Sequence, residues 1–305
     1  MSLRGRLTCP PCASTFDVVT YRPESSDIPA IVLSDGQVMP KLGFGAYKVA
    51  GEQAEGIITK ALELGYRSID TASLYENEEE VGRAIRESGL PRDEVFVTTK
   101  LWNSDHGYDS AMRAFDASMK RLGLDRVDLY LIHWPLPATD LYVDTFRALQ
   151  SLKRQGRVVS IGVSNFNRSH LERVIGETGE IPAVNQIELH PYFAQNELRA
   201  FHAANGIVTE AWSPLGRGAE FNDSVIIHLA EKLGRTPAQI ILRWHMQLGN
   251  VAIPKSATPS RMAENLAVFD FELTGREMTQ ITTLDKGARQ GGDPDTLDLD
   301  APGAS

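Results

Sequence analysis

The sequence lacks several features that mark membrane-bound, nucleic-acid-binding or zinc-binding proteins. No apolar run approaches the ~18 residues of a membrane span, and the N-terminus has no apolar core of the signal-peptide type. Acidic residues outnumber basic ones, and the net charge of -9 argues against binding to nucleic acid or anionic membranes. The only two cysteines, Cys9 and Cys12, form one C-P-P-C pair, with no second pair to complete a metal site. We therefore expect a soluble, cytoplasmic, metal-free protein, and we expect it to be a monomer.

A regular alternation of strand-like and helix-like segments fills most of the chain. With 305 residues, 42% of them hydrophobic, the chain can bury one large core. A hairpin signal, Ser34-Asp35-Gly36, precedes the repeat. The predicted strands are 41–44, 67–69, 95–99, 127–132, 158–163, 183–187, 207–211 and 251–253. The predicted helices are 52–64, 78–87, 110–122, 143–155, 169–176, 195–205, helices within 224–248, 260–267 and 275–284.

This rhythm predicts an α/β fold, a closed (β/α)8 TIM barrel with the hairpin as a plug and extra C-terminal helices. Residues 28–288 form the predicted barrel domain. Residues 1–27, rich in proline, serine and threonine without periodicity, are predicted to be a loose extension. Residues 289–305 are acidic and full of turn formers, which predicts a mobile tail or a flap over the barrel mouth.

Chemically active side chains follow three successive predicted strands. Asp70 and Tyr75 come after the second, Lys100 ends the third and His133 ends the fourth. Because parallel strands of a barrel share one C-terminal rim, we expect these side chains to converge. Each also has a structural explanation: Asp70 as a helix cap, Lys100 as a rim ion pair, His133 as a core imidazole bonded to backbone. Together they predict a proton-transfer site.

A lysine beside a phenol favours the phenolate, so Lys100 is expected to lower the pKa of Tyr75 and make it a usable proton donor. Asp70 would keep Lys100 charged, and His133 would direct a donor at a substrate oxygen. Proton donation to a carbonyl oxygen requires hydride delivery to its carbon, which no side chain supplies, so a cofactor is implied. The G-x-G-x-x-G fingerprint is absent, because Gly43-Phe44-Gly45-Ala46-Tyr47 lacks the third glycine.

A basic stretch near the C-terminus offers a site for a cofactor phosphate. Lys255, Ser256 and Arg261 lie at the predicted start of a helix, where free backbone N–H groups also favour phosphate. These groups suit the 2′-phosphate of NADP, although a solvated basic turn would look the same. Nearer the predicted rim, Trp212 could stack on a nicotinamide, and a carboxamide could be bound by the polar strand ends Ser164, Asn165 and Gln186.

Seven motifs resemble, in order, those of the aldo-keto reductases. They are D-T-A-S-L-Y-E-N-E, T-K-L-W-N, L-I-H-W-P, I-G-V-S-N-F, N-Q-I-E-L-H-P, A-W-S-P-L-G and I-P-K-S-A-T-P-S-R. The resemblance covers residues 31 to about 286 and is closest to the bacterial 2,5-diketo-D-gluconate reductase group. It implies NADPH-dependent reduction of aldehydes or ketones, with keto-sugars or dicarbonyls among the candidates.

The resemblance also implies roles for individual residues. The catalytic tetrad would be Asp70, Tyr75, Lys100 and His133, with Tyr75 as general acid. Three aromatic residues, with the tail near Arg289, would wall the substrate pocket: Tyr47, Trp102 and Trp134. The implied NADPH contacts are Gly45, Ala46, Ser164, Asn165, Gln186, Trp212, Ser213, Leu215, Arg217, Lys255, Ser256, Thr258, Arg261, Glu264 and Asn265.

Two other functions are compatible with a barrel of this kind. Lys100 or Lys255 could form a Schiff base in an aldolase-like enzyme, although a lysine paired with Asp70 would be charged and a poor nucleophile. Alternatively, the barrel could bind NADP without catalysis, as a sensor or a partner protein. Borohydride trapping would reveal the first, and NADPH binding without carbonyl reduction would reveal the second.

Overall fold

The computed structural model describes residues 28–49 and 51–297, and eight of its strands curl into one parallel sheet. These strands are β3 (Phe44–Gly45), β4 (Ser68–Asp70), β5 (Phe96–Leu101), β6 (Val127–Ile132), β7 (Val158–Ser164), β8 (Val184–Glu188), β9 (Val208–Trp212) and β10 (Val251–Ala252). Each pairs with the next in chain order. A parallel bridge between Leu42 and Ala252, with a 2.9 Å bond from Gly43 N–H to Ala252 O, closes the barrel.

An antiparallel hairpin, β1 (Ala30–Val32) and β2 (Val38–Pro40), comes before the barrel. Leu33 and Met39 are buried with Phe96, Leu129 and Val184, which lie on barrel strands. The hairpin therefore closes one end of the barrel, as predicted, and gives it an apolar floor.

Ten helices surround the barrel in the described ranges. They are α1 (Ala54–Glu63), α2 (Glu78–Glu87), α3 (Tyr108–Leu122), α4 (Tyr142–Arg154), α5 (Arg168–Thr178), α6 (Asn196–Asn205), α7 (Ser224–Leu233), α8 (Pro237–Gln247), α9 (Pro259–Leu266) and α10 (Gly275–Thr282). Side-chain caps set several helix ends. At the start of α8, Thr236 Oγ1 accepts a bond from Gln239 N–H, and Gln239 Oε1 accepts one from Thr236 N–H. Among these residues, no helix has both the length and the hydropathy of a membrane span.

The predicted elements are all present, with ends that shift by at most three residues. The largest shift is at β3, predicted from residue 41 and observed from Phe44, because the chain at Leu42 makes only a single bridge. The predicted extension 1–27, with Cys9 and Cys12, lies outside the described residues, as does the end of the tail. The division into extension, barrel and tail therefore stays a prediction.

The register of the sheet brings the polar strand ends together. Asp70 pairs with Thr98 on the next strand, Ser164 pairs with Gln186, and Glu188 pairs with Trp212. Since registered residues of parallel strands point to the same side, the polar residues that end successive strands face one mouth of the barrel.

Candidate active site

A buried ion pair lies at the base of the barrel mouth. Lys100 Nζ is 2.6 Å from Asp70 Oδ1 and donates a second bond, of 2.9 Å, to Thr71 O. The side chains are 0% and 3% exposed. Burial alone would lower the pKa of Lys100, but the charges of Asp70 and Tyr75 outweigh it and raise that pKa above its usual value. Lys100 is therefore an ammonium, as the sequence predicts, and a poor amine nucleophile.

Tyr75 lies directly beside this ammonium. It ends a short 3-10 turn, Ser73–Tyr75, that follows β4, and Ser73 Oγ anchors the turn by donating to Lys100 O at 3.0 Å. Lys100 Nζ lies 5.1 Å from the centre of the Tyr75 ring. The geometry brings together the phenol and the ammonium that the sequence predicts as neighbours.

The acidity of Tyr75 differs from the expectation based on sequence. Burial raises the pKa of Tyr75 to about 12, because desolvation disfavours the phenolate more than the Lys100 ammonium favours it. Lys100 acts in the predicted direction, but burial has the larger effect. The phenol is consequently protonated at neutral pH and holds a proton that it can give.

His133 completes the group at the end of β6. Its ring lies 5.8 Å from the Tyr75 ring and 5.0 Å from the Trp102 ring, both edge-on. Burial, with the nearby Lys100 charge, holds the pKa of His133 well below its usual range, so the ring is neutral. Within the described residues no side chain or backbone group bonds its buried Nδ1 atom. The ring is therefore held by packing and keeps hydrogen-bonding capacity that the surrounding protein does not use.

A second carboxyl lies beneath the tetrad, and sequence reasoning missed it. Gln186 Nε2 donates to Asp70 Oδ2 and to Glu210 Oε2, each at 2.8 Å. Burial and the charge of Asp70 raise the pKa of Glu210 to about 8, so this carboxyl is largely protonated at pH 7. Both amide hydrogens of Gln186 are thus used inside the protein. An inward-facing glutamate two residues before Trp212 was the available signal.

A cavity of about 140 Å³ opens above the tetrad. Of the residues predicted for catalysis, substrate or cofactor, those lining it are Gly45, Tyr47, Asp70, Tyr75, His133, Trp134, Ser164, Asn165, Gln186, Trp212, Ser213, Arg217 and Lys255. Four further residues line the cavity: Gly291 and Gly292, which belong to the predicted tail near Arg289, and Leu74 and Ile253, which were not predicted. Lys100 lies beneath the cavity floor, fully buried.

Of the residues predicted for the substrate pocket, Trp102 lies outside the cavity lining, and the predicted tail reaches the cavity through residues other than Arg289. Trp102 packs against His133 and lines a neighbouring groove instead of the cavity. Arg289 turns away, with its guanidinium 4.6 Å from the ring centre of Phe193, and the tail contributes Gly291 and Gly292 to the cavity wall. The tail near Arg289 thus lies at the cavity wall, as expected from the sequence, through its glycines, while the substrate role of Trp102 stays a prediction.

Asn165 and Trp212 are tied to each other. Trp212 Nε1 donates to Asn165 Oδ1 at 2.7 Å, and Asn165 Nδ2 donates to His133 O at 3.0 Å and to Ser164 Oγ at 3.1 Å. Ser164 Oγ in turn donates to Gln186 O at 2.9 Å. This network fixes the indole plane at the side of the cavity.

Seven of the predicted cofactor residues lie outside the cavity lining: Ala46, Leu215, Ser256, Thr258, Arg261, Glu264 and Asn265. Lys255 and Arg261 are exposed, and neither forms an ion pair within residues 28–49 and 51–297. Thr258 precedes α9 without capping it through its side chain, and because Pro259 has no N–H, the N–H groups available at this end are those of Ser260 and Arg261. Glu264 instead accepts a 2.6 Å bond from Thr236 Oγ1.

Comparison with known proteins supplies the family. The model of the "Aldo/keto reductase family" matches residues 41–226 and 222–286. The chain belongs to the aldo-keto reductase family. The barrel and the buried Asp70–Lys100 pair beside Tyr75 and His133 are thus those of an oxidoreductase, and the family predicted from the sequence motifs is confirmed.

Several relatives of this aldo-keto reductase are similar over nearly their whole length. An aldo-keto reductase of Mycolicibacterium smegmatis is 56% identical over 271 residues, which cover 89% of this chain and 98% of that protein. Methylglyoxal reductase DkgA of Salmonella typhimurium is 53% identical over 270 residues, 88% of this chain and 98% of that protein. A Gox0644 variant crystallised in complex with NADPH is 48% identical, with a TM-score of 0.86 over 90% of this chain and 100% of that one.

Proposed function

We propose that this aldo-keto reductase reduces small 2-oxoaldehydes of the methylglyoxal type to hydroxycarbonyls, with NADPH as reductant and Tyr75 as general acid. The observation that carries the proposal is the convergence of Tyr75, His133 and the buried Asp70–Lys100 pair on one small cavity. NADPH-dependent carbonyl reduction is the activity of the family, and the solved relative with bound NADPH supports the same cofactor here.

The residues around the cavity fit NADPH. Gly45 lets the chain pass close to β10, because a Cβ there would lie 2.8 Å from Ile253 O. Trp212 offers a flat face that suits a nicotinamide ring. At the other end of NADPH, the 2′-phosphate suits the exposed cations Lys255 and Arg261 and the uncapped start of α9. Arg217, exposed at the cavity edge, suits the pyrophosphate.

NADPH, when bound, supplies the hydride that the carbonyl carbon receives. Tyr75 gives its phenolic proton to the carbonyl oxygen, and the phenolate that forms is stabilised by the Lys100 ammonium. Asp70 keeps that ammonium in place at 2.6 Å. His133, neutral and 5.8 Å from Tyr75 between ring centres, orients the carbonyl oxygen towards the phenol.

The shape of the cavity supports a small substrate. Tyr47 and Trp134 wall it, Tyr47 lies 5.1 Å from Tyr75 between ring centres, and the tail glycines close the remaining side. Because the nicotinamide ring would share this cavity of about 140 Å³, the space left for the carbonyl compound is small. The relatives named methylglyoxal reductases support the same substrate class. The fully formed tetrad gives no support to the non-catalytic alternative.

The test is NADPH consumption by the purified protein with methylglyoxal, keto-sugars and aromatic aldehydes, with Tyr75→Phe in parallel. We expect methylglyoxal to give the highest kcat/KM and the variant to be nearly inactive. Preference for keto-sugars would contradict the substrate class. NADPH binding without reduction of any carbonyl would contradict catalysis and favour a sensor or partner protein.

The cytoplasmic location and the monomeric state expected from the sequence are further proposals. Cell fractionation tests the location. Sedimentation of the purified full-length chain measures the oligomeric state, and a dimer would contradict the prediction of a monomer.

A further inference from the structure

We propose that His190 is a positioning residue that couples the loop of residues 213–220 to the tail segment, residues 286–292. Both wall the cavity, the loop through Ser213 and Arg217 and the tail segment through Gly291 and Gly292. The inference rests on the proposed function, in which the loop adjoins the cofactor and the tail segment adjoins the carbonyl. Coupling would make the affinities for the two ligands depend on each other.

On the tail side, Tyr192 O accepts bonds from Lys286 N–H and Ala288 N–H, each at 3.0 Å, and one carboxylate holds the backbone that follows. Glu188, at the end of β8, accepts bonds from Gln290 N–H at 2.6 Å and Gly291 N–H at 2.7 Å. Gly291 must lack a side chain here, because a Cβ would lie 2.5 Å from Trp212 Cη2 and 2.9 Å from Glu188 Oε2. The position of this part of the cavity wall is therefore set by Glu188.

On the loop side, Glu220 plays the corresponding part. It is fully buried, and its carboxylate packs directly against the backbone of Gly216, next to Arg217. Gly216 and Arg217 both have positive φ angles, 51° and 52°, so this turn has a specific backbone shape that the carboxylate supports.

His190 lies between the two carboxylates. Its Nε2 is 3.0 Å from Glu188 Oε1, and its Nδ1 is 2.6 Å from Glu220 Oε1, close but poorly aligned for a hydrogen bond. Burial alone would lower the pKa of His190, but Glu188 and Glu220 outweigh it and raise it to about 9. All three side chains are 0% exposed, so no solvent screens the charges. Without the imidazolium, two buried carboxylates would be left facing the same space.

The loop and the tail segment also touch directly, because Gln290 Nε2 donates to Gly216 O at 2.9 Å. An experiment must therefore separate this contact from His190. His190→Gln removes the charge and leaves the Gln290 contact in place. His202→Gln is the matched control, since His202 is equally buried but bonds Asn185 and Thr209.

The first measurement is hydrogen–deuterium exchange of the ligand-free full-length protein. His190→Gln should speed exchange about tenfold in peptides covering both 213–220 and 286–292, while His202→Gln changes neither. Glu220→Gln, which leaves the tail contacts untouched, should also speed exchange in 286–292. This second variant keeps the test open if His190→Gln does not fold. The coupling would be overturned if His190→Gln speeds exchange in only one of the two peptides or in neither, or if Glu220→Gln speeds exchange in 213–220 alone.

The second measurement separates binding from chemistry. His190→Gln should raise both the Kd for NADPH and the KM for methylglyoxal about fivefold or more, with kcat within about threefold, because the tetrad is untouched. The proposal would be overturned if kcat falls while the Kd for NADPH and the KM for methylglyoxal stay the same. It would also be overturned if only one of these two constants changes, or neither. If the protein reduces no carbonyl, the exchange measurements still decide the coupling, so its failure is distinguishable from failure of the proposed function.

Discussion

Lys100 Nζ lies 2.6 Å from Asp70 Oδ1, and neither side chain has more than 3% of its surface exposed. A pair this deeply buried is not there for stability alone, since desolvation cancels much of the attraction. Its position, with Lys100 Nζ 5.1 Å from the centre of the Tyr75 ring, is the charge arrangement that the proton donor we propose would require.

The first prediction concerns this pair. Lys100→Met should lower the free energy of unfolding by about 3–5 kcal/mol, because Asp70 would remain buried without a counter-ion. Urea denaturation measures the change. Lys60→Met is the matched control, because Lys60 pairs with Glu63 at 2.9 Å on the surface and should contribute less than about 1 kcal/mol. Equal losses in the two variants would contradict the burial argument.

The second prediction concerns the proton donor. Tyr75→Phe should lower kcat for carbonyl reduction by about a hundredfold or more and leave the Kd for NADPH nearly unchanged, because only the proton is lost. Steady-state kinetics and fluorescence titration measure the two quantities. Tyr66→Phe removes another buried hydroxyl, bonded to Met262 O at 3.1 Å, and should leave kcat unchanged. Retained turnover in Tyr75→Phe would refute the assignment.

The third prediction concerns cofactor choice. Arg261→Ala should raise the Kd for NADPH about tenfold or more and affect the Kd for NADH little, because only NADPH carries the 2′-phosphate. Titration with both cofactors measures the ratio. Arg276→Ala, which removes an exposed arginine near the start of α10, is the control. If Arg261→Ala weakens the two cofactors equally, the phosphate binds elsewhere.

The fourth prediction follows from Glu210. Its folded pKa, about 8, lies above its ordinary value, so the folded protein binds more protons than the unfolded chain between those values. Its stabilising effect is present at low pH and is lost as pH rises through about 8. Glu210→Gln, which keeps the bond from Gln186, should therefore be more stable than the parent at pH 8.5 by about 1 kcal/mol or more, with the gap closing towards pH 5.

Denaturation at several pH values measures that gap. Glu87→Gln is the control for the loss of a carboxylate, because Glu87 is exposed at the end of α2. A gap between Glu210→Gln and the parent that does not change with pH would mean that Glu210 keeps its ordinary acidity in the folded protein.

The sequence by itself determined the barrel and the chemistry of its mouth. Runs of branched apolar residues recur with helical segments between them, and these local patterns are enough to place eight strands. The sequence is enough to bring Asp70, Lys100 and His133 together because each lies at a strand end, and the C-terminal ends of parallel strands in a barrel share one rim. The family follows from the same short motifs.

Only the tertiary structure decided how those groups behave. The pKa of Tyr75 depends on burial, and burial is a property of everything packed around the ring. The bond from Gln186 to Asp70 spans 116 positions and that from Gly291 to Glu188 spans 103, distances over which no local pattern carries information. Contacts between distant parts of the chain also raise the pKa of Glu210, pack Trp102 against His133 and place His190 between Glu188 and Glu220. Such contacts exist only once the barrel has closed.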